Sequence, residues 1–179
     1  MKHKILTLSC TLLALAACGQ SSLETTFANQ STKIDTYVTK QLESHPEYRV
    51  AYNDGVVRMV VSEGEGSELA KGGSVTFYYA GYNFSNSSVT TGTMFATNDP
   101  DIAAQAKWNL SDTTAYRPTT VTLGKDRLVP GLAIGLEGVR SGEDCYIIFS
   151  GTHGFGKRQI GTVPANAPLC YHVRVEDVY

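Results

Sequence analysis

The chain has 179 residues, with 15 Lys and Arg against 17 Asp and Glu and a formal net charge of −2. That length suits one domain with its own core, and without a basic patch or an arginine-rich helix the chain offers nucleic acid no electrostatic footprint. Ten tyrosines against one tryptophan, with 42% hydrophobic and 9% aromatic residues, describe a globular chain rich in strand and turn formers.

The first residues read as an export signal. MKHK is basic, and residues 5–17, ILTLSCTLLALAA, form an uncharged apolar run too short to span a membrane. The next stretch, LAAC at Leu15–Cys18, resembles the bacterial lipobox. The resemblance implies that residues 1–17 are removed as a lipoprotein signal peptide and that Cys18 carries the lipid, including palmitate. Each buried methylene contributes about 0.8 kcal/mol, so several acyl chains hold firmly. The expected location is the bacterial cell envelope, lipid-anchored and facing the periplasm or the exterior. Cleavage removes Lys2 and Lys4 and no acid, which leaves 13 basic against 17 acidic residues and a net charge of −4. Residues 18–30 are small and polar and read as a tether. Over residues 31–47, Ile34, Val38 and Leu42 recur every four positions, with Ser31 as a cap and Pro46 as a stop. This spacing predicts one short amphipathic helix.

From Tyr48 the pattern is strand-like. YRVAY and VVRMVV flank NDG, a hairpin signal in which Asn and Gly are expected to supply positive φ. SVTFYYAGYNF, residues 74–84, predicts a strong strand, and a polar turn then leads to MFATN. Asp99 and Pro100 stand where a helix would be capped and begun, so DPDIAAQAKWNL predicts a short helix. TTVTLG is a strand. LVPGLAIGLEGVRSGE predicts a compact helix opening at Pro130, with Leu132, Leu136 and Val139 on one side. DCYIIFS and PLCYHVRVEDV are the last two strands. The whole is an α+β domain over residues 48–179.

In the final strand Leu169, Tyr171, Val173 and Val175 share one face, and Cys170, His172, Arg174 and Glu176 share the other. Cys145 sits with Ile147 and Phe149 on the apolar side of the preceding strand. The two cysteines therefore face opposite sides of the sheet and are expected to stay reduced, as packing and surface residues. His45, His153 and His172 are expected in turns or facing solvent, with no Cys or acid at metal-ligand spacing. No metal or cofactor is expected.

The order of these pieces carries the functional reading. VTFYYAGYNF, GTMF, TVTLGKDRLVPG, LVPGLAIGLEGVRSGEDCYIIFS, HGFG and VPANAPLCYHVRV follow one another over about Gly72 to Val178. This series resembles the FKBP-type peptidyl-prolyl cis-trans isomerases. The resemblance implies an antiparallel twisted sheet wrapped around one short helix, to which the spacing adds the short N-terminal helix. That helix is too short to resemble the dimerising stalks of some periplasmic relatives, so a monomer is expected. It implies an apolar pocket for proline between the two. Tyr79, Phe95 and Tyr171 match its aromatic walls, Leu128 and Val129 the aliphatic pair before the helix, and Leu132 the floor position. The Val129 N–H would bond a substrate carbonyl, and Phe155 matches a tyrosine of the loop after the penultimate strand.

Several positions depart from the pattern. Ala96 stands where the family commonly has Asp, Phe155 has no hydroxyl, and Thr119 replaces a further pocket aromatic. An insertion at about residues 97–117 replaces a shorter segment, and the sequence leaves open whether it covers the pocket. The implied activity is isomerisation of X–Pro bonds in proline-containing, exported polypeptides. The alternative is a non-catalytic peptide- or protein-binding lipoprotein of the same fold, which Ala96 and Phe155 favour.

Overall fold

The computed structural model describes the backbone of residues 6–112 and 114–179, and the side chains of residues 22–112 and 114–179. Residues 1–5 of the expected signal peptide and the side chain of Cys18 lie outside the described residues. Helix α1 spans Leu6–Ser44. It is followed by strands β1 (Arg49–Asn53), β2 (Val56–Ser62), β3 (Ser74–Asn83) and β4 (Met94–Thr97), then by helix α2 (Pro100–Gln105). Strand β5 (Thr119–Thr122), helix α3 (Pro130–Leu136) and strands β6 (Asp144–Phe149) and β7 (Leu169–Val178) complete the chain. Among the described residues no helix is long and apolar enough to cross a membrane.

Helix α1 corrects the expected division into a tether and a short helix from residue 31. It runs 39 residues without a break, so the argument for a monomer from a short stalk does not apply. The cause is an apolar stripe that starts earlier than Ile34. Leu23, Phe27, Gln30, Ile34, Tyr37, Val38, Gln41 and Leu42 are all at least partly buried, at helical spacing, while the residues between them are exposed. Threonines along its exposed side bond back onto the helix, one within the expected tether and one beyond it. Thr26 Oγ1 donates to the Ser22 carbonyl at 2.9 Å, and Thr36 Oγ1 to that of Thr32 at 2.8 Å. Regular helix stops at Ser44, two residues before Pro46, because the residue preceding proline avoids the α conformation.

All seven strands form one antiparallel sheet in the order β1-β2-β6-β7-β3-β4, with β5 also on β3. The β1–β2 turn takes its positive φ from Asp54 (46°) and Gly55 (75°), one residue later than expected for Asn53. Strand β3 offers one edge to two partners. Its first half pairs β5, from Ser74↔Thr122 to Phe77↔Thr119, and its second half pairs β4, from Ala80↔Thr97.

One face of the sheet holds α3 and the larger core, including Val75, Phe77, Leu132, Leu136, Cys145, Ile147, Phe149 and Leu169. Gly131 and Gly135 let α3 lie directly on Phe149 and Ile147, since a methyl group at either would overlap those rings and branches. The other face holds Ile34 and Val38 of α1 against Ala80, Tyr82, Phe84, Ile148 and Cys170. Cys145 and Cys170 are free and sit in opposite layers, as the alternation predicts. Cys170 is nevertheless fully buried rather than at the surface, because α1 covers its face. Burial raises both thiols above the ordinary cysteine range.

His172 is likewise not solvent-facing. Its Nε2 lies 2.8 Å from an Asp144 carboxylate oxygen, and its ring stacks on Tyr146 at 4.6 Å. The insertion packs on the α1 face too, with Ile102, Ala106 and Trp108 against that second core. Asp99 caps α2 through the Asp101 and Ile102 amides and pairs with Arg174 at 2.6 Å, which ties the insertion to the back of β7.

Candidate functional site

Strand β3 sends Phe77 and Tyr79 toward the α3 face, and Gly81 follows them on the same side. A side chain at Gly81 would begin 2.7 Å from Phe95 Cζ and 3.0 Å from Tyr171 Cε1. The glycine therefore makes room for two rings. Phe95 reaches that place through a bulge: Gly81 pairs with Ala96 and Tyr82 with Met94, which leaves Phe95 as the extra residue.

The result is an apolar pocket of about 450 Å3 between α3 and the sheet, within the roughly 300–1,000 Å3 of small-molecule sites. The structure brings together all eight residues singled out from sequence: Tyr79, Phe95, Thr119, Leu128, Val129, Leu132, Phe155 and Tyr171. The rings pack edge to face, Phe95 against Tyr171 at 5.9 Å and against Phe155 at 5.8 Å. Tyr171 also stacks on Phe149 at 6.1 Å and approaches Tyr79 at 6.1 Å. Burial raises the pKa of both Tyr79 and Tyr171, so both phenols stay protonated. The N–H of Val129, the capping residue just before α3, has no acceptor among the described residues, since no helical turn precedes it.

Ala96 lines the pocket where an acid was the expected family residue, and Arg127 is the charged member of the wall. Among the described residues none between 98 and 118 lines it, so the described part of the insertion leaves the pocket open. Phe77, Val121, Arg127 and Ile160 complete the wall and were not singled out from sequence. Strand alternation from Tyr79 would have found Phe77, whereas Ile160 belongs to an irregular loop.

Asn98 was also missed. It is 4% exposed and fills the gap on β3 between β5 and β4. Its Oδ1 accepts from the Tyr79 N–H at 2.6 Å. Its Nδ2 donates to the Phe77 and Arg117 carbonyls and to Thr119 Oγ1, at 3.2, 2.9 and 3.2 Å. One amide thus replaces a missing stretch of ladder directly behind the pocket wall.

The loop carrying Phe155 and Ile160 is held at both ends by α1. The Gln30 side chain accepts from the Gly151 N–H at 2.8 Å and donates to the Asn166 carbonyl at 2.9 Å. Each such bond contributes about 0.5–1.5 kcal/mol. Gln30→Ala is therefore expected to raise tryptic cleavage at the exposed Lys157 and Arg158 about tenfold, since local opening sets the rate. Unchanged cleavage would mean the loop holds without the helix.

Comparisons with known proteins agree on one family. The family model described as FKBP-type peptidyl-prolyl cis-trans isomerase matches residues 66–176. FK506-binding protein 1 of Aspergillus oryzae is 24% identical over 122 residues, 68% of this chain and 96% of its own length. The FK506-binding protein of Neisseria meningitidis is 27% identical over 120 residues, 66% and 92% of the two chains. Among solved structures, FkpA from Escherichia coli superposes with a TM-score of 0.55 at 20% identity, covering 99% of this chain and 74% of its own. The N-terminal domain of FKBP42 from Arabidopsis thaliana gives 0.54 at 21%, covering 73% and 92%.

Proposed function

Because the chain belongs to the FKBP-type peptidyl-prolyl cis-trans isomerase family, we propose that it catalyses rotation about X–Pro bonds in exported polypeptides. The observation that carries this reading is the open apolar pocket ringed by Tyr79, Phe95, Leu132 and Tyr171 beneath the unpaired Val129 N–H. Rotation meets a barrier of about 18–20 kcal/mol because twisting destroys amide resonance. The end states differ by only about 0.5–1 kcal/mol, so no net driving force is needed. No bond is made, so no nucleophile or cofactor takes part. The twisted amide carries less charge separation than the planar one, and an apolar wall favours it relative to water. Binding that form more tightly than either planar form is the catalysis. Leu132 lies under the prolyl ring, Tyr79, Phe95 and Tyr171 surround it, and Phe155 closes the loop side. The Val129 N–H holds a substrate carbonyl.

Exchange NMR on short X–Pro peptides tests this. The protein is expected to accelerate exchange, and FK506 to abolish the acceleration, in keeping with the relatives' names. Arg127 lines the pocket with no carboxylate among the described residues within ion-pair distance. Peptides with an acid next to the proline are therefore expected to turn over about two- to fivefold faster at low salt, with the advantage fading as salt rises. Absence of acceleration at micromolar protein, with peptide still bound, supports the second reading. In that reading the pocket only binds, as the missing acid at Ala96 and missing hydroxyl at Phe155 favour.

The same reading places the protein outside the cytoplasm, held to a membrane by lipid on Cys18. Its clients are then unfolded or proline-rich segments, whose uncatalysed isomerisation takes tens to hundreds of seconds. Mass spectrometry of the mature protein is expected to find residues 1–17 absent and an acylated Cys18. An unmodified cysteine there would remove the anchor.

A further inference from the structure

Three side-chain hydroxyls line the pocket, those of Tyr79, Thr119 and Tyr171. Thr119 Oγ1 already accepts from Asn98. Among the described residues the Tyr171 hydroxyl has no hydrogen-bond partner, although the residue is only 4% exposed. Buried tyrosine hydroxyls ordinarily find a partner. The enclosed unpaired side-chain atoms among the described residues belong to Arg58, Glu143 and Arg174, so the Tyr171 oxygen is not sealed in the core. It opens into the pocket that its residue lines. Its ring is fixed by stacking on Phe149 and by the edge of Phe95, so the oxygen is held in one place.

A planar amide presents its carbonyl oxygen as the acceptor, because the nitrogen lone pair is delocalised. Twisting by a quarter turn returns that lone pair to the nitrogen and makes the oxygen a poorer acceptor. A donor beside the ring therefore gains a partner only near the top of the barrier. We infer that the Tyr171 hydroxyl donates a hydrogen bond to the prolyl nitrogen as the amide twists, which makes Tyr171 a catalytic residue as well as a wall. The proton stays on the phenol throughout, and the bond is released when planarity returns. Burial, and secondarily the nearby Tyr79, raise the Tyr171 pKa, so the donor form persists at any physiological pH. This inference rests on the isomerase reading of the pocket.

Tyr171→Phe removes one oxygen that no protein group bonds, so the melting temperature is expected to match the wild type. With a Leu-Pro peptide, kcat is expected to fall about three- to tenfold while KM holds, the pattern of an interaction made only in the transition state. Equal kcat in both proteins overturns the inference and leaves the isomerase reading intact. A raised KM with unchanged kcat also overturns it, since the hydroxyl would then bind the planar carbonyl. A wild-type protein that fails to accelerate exchange overturns the isomerase reading first and this inference with it.

Discussion

Gly81→Ala is expected to lower X–Pro turnover about 10- to 100-fold while the protein still folds. The added methyl would start 2.7 Å from Phe95 and 3.0 Å from Tyr171, too close for either ring to keep its place. Phe95 must yield, because it sits on a bulge and meets Gly81 with the tip of its ring, whereas Tyr171 is pinned against Phe149. A swing of Phe95 disrupts its contacts with Phe155 and Tyr171 and fills space a prolyl ring would occupy. Displacement of a positioned group by about 1 Å can cost on the order of a hundredfold in rate. Steady-state exchange measurements on the variant check this. Turnover within twofold of wild type would show that Gly81 does not define the pocket.

Asn98→Ala is expected to cost about 2–4 kcal/mol of stability. The Tyr79 N–H loses its acceptor, and the Phe77 and Arg117 carbonyls lose a donor. Each buried polar group left unmatched costs about 1–3 kcal/mol, with the Arg117 carbonyl at the lower end because that residue is exposed to water. For a domain of this size that lowers the melting temperature by roughly 5–15 °C. Asn98→Asp keeps the acceptor and loses the donors, so its loss is expected to differ from that of alanine. Thermal unfolding of both variants measures the effect, and a shift below about 2 °C in Asn98→Ala would mean that water replaces the amide.

Much of this architecture is legible in the sequence because the signals are local. The alternation along Leu169 to Val175 assigns the two faces of β7. Asp99 and Pro100 announce α2 through a side chain that bonds the next amides. The pocket residues were found through the order of short motifs, not through their apolar character, which any core residue shares. What stayed hidden depends on partners far along the chain. The bonding groups of Gln30 lie 121 and 136 residues away, so nothing near Phe27 and Gln30 distinguishes a tether from a docked helix. Asn98 works because two strands leave a gap on a third, a fact of pairing and not of composition. The burial of Cys170 and the placement of residues 99–108 follow from the same cause, since both depend on which face α1 chooses.

Helix α1 meets the rest of the protein first at the loop and only later at the strands. If the N-terminus is held and the domain is dragged, tension enters along the helix axis. It reaches Phe27 and Gln30 before it reaches Ile34 and Val38. The earliest rupture is then the Gln30 clamp, whose loss slackens the aromatic loop while every strand stays paired. A pull on this chain would slacken the wall of its pocket well before it unravelled the sheet.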